Sequence, residues 1–363
     1  MYDLAGRVNP EQMFAIARLA FAELALAGYT AVGEFHYLHH GPDGTPYDDR
    51  IAMSDAVVRA AREAGLRITL LRVLYQRGGY EKPAEGAQLR YCDEDIESAF
   101  EDVQSLRERF ATDSYVRVGL AAHSVRAVSA DWIKEAAAFT AAEELPFHMH
   151  VAEQPREIEE CLAEHKRRPV ELLDELGALS DRFVAVHATH LSDHEIAKLG
   201  AAHAFACICR TTERDLGDGL PRAADLRAAG VRLCTGVDSH AIADAFEEAR
   251  AVELDDRTRT LQRQVVGDGR FLLDVASRQG YAAIGLKDEW STDEVALEPY
   301  DASIIGAPES SLEDAIIFGA SPRAVRDVSV GPTTVVRAGG HPFIDIFSEA
   351  YLRTARDLLG FEG

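Results

Sequence analysis

Seven short apolar runs, each followed by an amphipathic stretch, limit what this chain can fold into more than any other feature. The runs are Tyr29–Glu34, Arg67–Leu74, Val116–Ala121, Phe147–Ala152, Phe183–His187, Ala204–Cys209 and Val231–Gly236. Helix-patterned stretches lie at 10–28, 51–64, 93–112, 130–143, 155–175, 192–200, 222–229 and 241–265. Apolar runs between helices read as parallel strands covered on both faces. Repeated strand–helix units mean a parallel α/β fold.

Two such architectures compete. An open doubly wound sheet gathers its site at one switch point. A (β/α)8 TIM-type barrel distributes it over the C-terminal ends of many strands. Here His, Glu and Asp follow many of the runs, which favours the barrel. Closure needs eight units and the sequence supplies seven, so the first strand is expected before Met1. Residues 1–286 are assigned to this barrel. Residues 287–340 read as a small β appendage, with short strands at Ala302–Ala307, Ala315–Gly319 and Val328–Ala338, and residues 341–363 as a C-terminal helix.

Charge and composition exclude some functions. A formal net charge of -23 opposes binding to nucleic acid. No apolar run reaches the ~18 residues of a membrane span, and the start lacks a signal-peptide layout, so the cytoplasm is the default. The five cysteines, Cys92, Cys161, Cys207, Cys209 and Cys234, are too few for a disulfide framework. Cys207 and Cys209 form a C-x-C whose side chains share one face of a strand. Core packing is the preferred reading of that pair.

The strongest chemical signal is His148-Met149-His150-Val151-Ala152-Glu153-Gln154. One of these imidazoles can hold a divalent metal while Glu153 moves protons; two buried structural histidines are the bland alternative. His187 closes the next run, and His190 suits local hydrogen bonding. Asp238 follows the last run in Thr235-Gly236-Val237-Asp238-Ser239-His240. Asp238 is read as a metal ligand, and Ser239 as the N-cap of a helix starting near Ala241. After the third run come His123 and Arg126, the latter able to clamp a carboxylate or to form a surface ion pair. Gly33-Glu34-Phe35-His36-Tyr37-Leu38-His39-His40 runs into a turn-rich segment and is read as a substrate-covering loop.

In this order the strings GEFHYLHH, HMHVAEQ, VHATHL, TTERDLGDG and GVDSH resemble the amidohydrolase superfamily, and within it the formimidoylglutamate deiminase family. The resemblance runs from near residue 1 to about residue 340. It implies one divalent metal, zinc, and hydrolysis of N-formimino-L-glutamate to N-formyl-L-glutamate and ammonia in histidine breakdown. It implies His150 and Asp238 as metal ligands, Glu153, His187 and Asp238 as catalytic groups, and Tyr37, His123 and Arg126 as substrate contacts. It suggests a homodimer with a small-molecule substrate, no nucleic acid and no membrane.

The family also carries an H-x-H at the end of its first strand, and no such motif precedes Tyr29. The chain as it stands keeps two family ligands, fewer than the three usual in catalytic zinc sites, so weak turnover is expected. The alternatives are a related amidohydrolase deaminase with another substrate, or an inactive truncated remnant.

Overall fold

A computed structural model describes residues 2–360; Met1 and residues 361–363 of the expected C-terminal segment lie outside the described residues. Seven parallel strands form one sheet in sequential order: β1 (Ala31–His36), β2 (Arg67–Leu74), β3 (Val116–Ala122), β4 (Phe147–Val151), β5 (Phe183–His187), β6 (Phe205–Ile208) and β7 (Arg232–Thr235). All six expected neighbour pairings are parallel. The fold is the (β/α)8 TIM type with seven strands among the described residues, and β1 and β7 are its edges. No helix among the described residues is long and apolar enough to cross a membrane.

The apolar runs become strands because both faces are covered. Every residue of β2 is buried, including Arg67 and Arg72. Arg72 survives there by pairing with Asp93 at 2.5 Å and Asp102 at 2.8 Å, since a buried charge needs a partner. Its neighbour Arg67 pairs with Asp293 at 2.8 Å, which also accepts from the Tyr281 hydroxyl and from Gly331 N–H. That contact ties the barrel floor to the appendage.

The floor between the two edges is filled from later in the chain. Residues 275–283 wind helically against β7, and Ala283 and Ile284 turn their carbonyls into the barrel. Ala283 O accepts from His148 Nε2 at 2.9 Å, and Ile284 O from Thr69 Oγ1 at 2.7 Å.

The appendage departs from expectation. Its sheet is antiparallel, in the order β10 (Thr333–Val336), β9 (Val325–Val330), β8 (Glu294–Leu297). Ala302–Ala307 is a run of turns rather than a strand, and Ala315–Gly319 belongs to the helix Leu312–Gly319. Short apolar runs fit either period; Glu313 and Asp314 in the first turn favour the helix through its dipole. The stretch 155–175 is two helices, Pro155–His165 and Pro169–Glu175, because Lys166 turns left-handed at φ +57° and Pro169 restarts the chain. The helix expected from Ala241 starts at Ala245, capped by Asp244.

Gly33 shows how tightly the floor is closed. A Cβ there would stand 2.6 Å from Ile284 Cγ2. Gly33→Ala is expected to cost about 1–3 kcal/mol through overpacking. Urea unfolding in a double-mutant cycle reads this: Gly33→Ala should be costly in the wild-type chain and cost little in the Ile284→Ala background, where the clashing methyl is gone.

Candidate active site at the barrel mouth

The mouth is built at the C-terminal ends of β3 to β7 around a cavity of about 1820 Å³. On β4 the alternation of strand side chains points His148 and His150 inward, but at different depths. His148 is bound to the floor through Ala283 O and serves structure. His150 sits at the mouth, where its Nδ1 donates to His123 O at 2.8 Å. That bond leaves Nε2 as the free donor atom, the arrangement by which proteins orient a metal-binding imidazole. Phe35 packs on the ring at 4.2 Å between centroids, and His187 stacks nearly parallel at 5.5 Å.

His187 owes its position to a break in the strand. Val184 and Val186 pack in the barrel interior, so alternation alone would turn His187 outward with Ala185. Its backbone is left-handed instead, at φ +69°, followed by Ala188 at +52°. Asp238 is left-handed too, at +48°, past the end of β7. Such conformations cost about 1–3 kcal/mol each and persist where the surroundings enforce them. Here they bring the groups together. His187 Nε2 is 3.7 Å from Glu153 Oε1 and 3.7 Å from Asp238 Oδ2, while Nδ1 donates to Glu213 Oε1 at 3.2 Å.

The electrostatics follow from burial and charge. Burial alone would lower the His187 pKa; the Glu213 hydrogen bond and the charges of Glu153 and Asp238 outweigh it and lift it to about 9. Burial raises the carboxyls of Glu153 and Asp238, with His187 opposing in both. His150 lies well below the usual imidazole range, through burial and its neighbours His123 and His187, so it stands as a neutral donor.

Tyr37, His123 and Arg126 line the same cavity. Tyr37 and His123 meet edge to face at 5.5 Å, and His123 and His150 at 4.9 Å. Burial, then the Arg126 charge, depresses His123 to about 3. Arg126 is exposed, and its backbone is held by Arg77, whose guanidinium donates to the carbonyls of Arg126 and Val125 and pairs with Glu164 at 2.7 Å.

Two sequence expectations fail here. The segment 33–40 is not a loop over the site: its first four residues belong to β1, Phe35 and Tyr37 line the cavity, and His36, His39 and His40 are buried, with Arg90 donating to His40 O at 2.8 Å. Ser239 caps no helix; it bonds Thr212 Oγ1 at 2.9 Å. His190 does make the local bond expected of it, to Asp218 O at 2.6 Å.

Three further groups escaped sequence reading, and a fourth, Cys209, reads in the sequence as core packing. Glu157 accepts the N–H groups of Ala152 and Glu153 at 2.9 and 3.2 Å, fixing the turn that presents Glu153. Asp218 accepts from Gln154 Nε2 at 2.8 Å, and its second oxygen is buried without a hydrogen-bond partner. Glu213, paired with Arg210, anchors His187. Cys209 lies beside His187 and Asp238. Only TTERDLGDG hinted at Glu213 and Asp218, as a string without a role.

A divalent metal fits these donors. His150 offers a neutral nitrogen with its other nitrogen committed. The Asp238 carboxylate is 30% exposed toward the mouth. Nitrogen and carboxylate donors of this kind suit zinc among other ions.

Comparison with known proteins agrees with the geometry. The model of the amidohydrolase family matches residues 1–292. Formimidoylglutamate deiminase of Pseudomonas aeruginosa is 37% identical, across 99% of this chain and 81% of that protein. The crystal structure of an amidohydrolase from Brucella melitensis superposes with a TM-score of 0.92 at 34% identity, covering 99% of this chain and 81% of that one. An adenosine deaminase from Xanthomonas campestris, solved with bound zinc, shares the fold at a TM-score of 0.84 and 20% identity, covering 99% and 78%.

The site's electrostatics can be read directly. In metal-free protein the His187 imidazole should titrate near 9 by NMR, and Glu213→Gln should lower that value. Because the folded value exceeds the ordinary 6.5, His187 stabilises the fold fully below about 6.5, and the contribution is lost as pH rises through 9. A His187 pKa at or below 6.5 contradicts the charge arrangement.

Proposed function

The chain belongs to the amidohydrolase family and is a hydrolase acting on carbon–nitrogen bonds; from that premise we propose that its reaction is the hydrolytic deimination of N-formimino-L-glutamate to N-formyl-L-glutamate and ammonia, a step of histidine degradation. The observation that carries this reading is the convergence of Glu153 and Asp238 on His187 Nε2, each at 3.7 Å, in one cavity that Tyr37, His123 and Arg126 also line. The 37% identity to a formimidoylglutamate deiminase supports the same substrate.

His150 and Asp238 would hold one divalent metal, zinc. When bound, zinc lowers the pKa of water toward neutrality and polarises the bond under attack. The chain's own residues do the rest. Arg126 pairs with a substrate carboxylate, where a guanidinium offers two parallel donors. Tyr37 and His123 wall the opposite side of the formimino group. Asp238 takes the proton of the attacking water as its oxygen bonds to the formimino carbon, and the His187 imidazolium donates from Nε2 to hold that oxygen. Glu153, whose carboxyl burial raises toward the protonated form, delivers a proton to the departing nitrogen. Collapse of the tetrahedral carbon breaks the C–N bond, releases ammonia and forms the formyl C=O, the hydroxyl proton passing to the Glu153 carboxylate.

Ammonia release from N-formimino-L-glutamate, measured against adenine-type and guanidino substrates, tests the substrate class; turnover of another amine alone would overturn it. Glu153→Gln should lower kcat by about 10²–10⁴-fold, the usual contribution of a general acid. Arg126→Met should instead raise KM, lowering kcat/KM about ten- to a hundredfold for loss of charged hydrogen bonds.

A further inference from the structure

Three donor atoms from three consecutive strand ends meet at the mouth. A ring nitrogen of His187, Sγ of Cys209 and a carboxylate oxygen of Asp238 all lie within 4.8 Å of one another. Among the described residues no other trio of His, Cys, Asp or Glu donor atoms is so close. The C-x-C pair looked like core packing in the sequence, because its neighbours come from β5 and β7 and not from β6.

We propose that Cys209 is a metal ligand, which with His187 and Asp238 forms a nitrogen–sulfur–oxygen site for a thiophilic divalent ion. The inference rests on the reading above that this mouth holds a metal; the new position shares Asp238 with the one proposed there and takes His187 and Cys209 in place of His150.

The geometry of the trio suits such an ion. Zinc bonds of about 2.0–2.3 Å in a tetrahedron put ligand atoms roughly 3.5 Å apart. His187 Nε2 and Asp238 Oδ2 already stand 3.7 Å apart. The sulfur needs an inward shift of about 1 Å, within the reach of a cysteine rotamer change. A single buried carboxylate frames both ligands: Glu213 Oε1 accepts from Cys209 N–H at 2.9 Å and from His187 Nδ1 at 3.2 Å. His187 is thereby oriented with Nε2 toward the trio, as the outer partners of metal-bound imidazoles do. Gly236 keeps the sulfur accessible, because a Cβ there would stand 3.2 Å from Cys209 Sγ. Cys207 Sγ lies 4.0 Å from Cys209 Sγ but falls outside the trio, so it is the natural control.

Binding displaces the thiol proton of Cys209 and any proton on His187 Nε2, as thiolate and imidazole ligation requires. An ion held this way displaces the Nε2 proton with which His187 holds the attacking oxygen. The trio is therefore a resting or inhibitory mode of the site.

Cobalt(II) added to the full metal-free chain tests this. The expected result is a thiolate-to-cobalt charge-transfer band in the near ultraviolet, lost in Cys209→Ser and kept in Cys207→Ser. X-ray absorption of the zinc-loaded wild-type chain needs no variant, and it should show a sulfur scatterer at about 2.3 Å. Cobalt that binds without the sulfur band, or a band that survives Cys209→Ser, overturns the Cys209 assignment and leaves the metal reading standing. If neither cobalt nor zinc binds, both fall.

Discussion

One imidazole holds the mouth of this barrel together. His187 is buried among Glu153, Glu213 and Asp238. Three carboxylates so close would repel one another strongly in a medium of low dielectric. The cation at their centre makes the arrangement tolerable, and the carboxylates in turn lift its pKa to about 9. The left-handed backbone at His187 and Asp238 is strain maintained for the same end.

Around that centre, support comes from charges buried one layer further out. Arg210 pairs with Glu213 and with Asp255 at 2.6 Å, while its N–H donates to Glu248. Glu157 ties the turn before Glu153 to the start of its own helix, and Arg77 ties the Arg126 turn to Glu164. The turns that present Glu153 and Arg126 are thus fixed through their backbones by charged side chains, and His187 is anchored through its ring by Glu213. Catalytic groups need that precision, since small misplacements cost large factors in rate. The floor is made by a separate device, the Ala283–Ile284 carbonyls bound to His148 and Thr69.

Sequence alone went far with the strands. All seven runs are strands, paired in the order the chain presents them, because a strand covered on both faces leaves a continuous apolar signal. It did worse in the appendage. Ala315–Gly319 is helical and Ala302–Ala307 is turns, because a five- or six-residue apolar run carries no period to distinguish the two states. The helix 155–175 was missed as two for a related reason: Lys166, which breaks it, is a residue that seldom turns left-handed.

At the site the division is similar. Glu153, His187 and Asp238 could be named from sequence because each ends an apolar run, and run ends are where a barrel gathers its chemistry. Sequence could not separate His148 from His150, which share a face; their difference is depth, set by a carbonyl 135 residues away. It could not see that Glu213 reaches His187, or that Cys209 joins His187 and Asp238, because those contacts cross between strands. Local pattern determines which residues lie at a strand end. Only the closing of strands around a common axis decides which of them touch, since distance between strand ends is a property of the barrel and of no single segment.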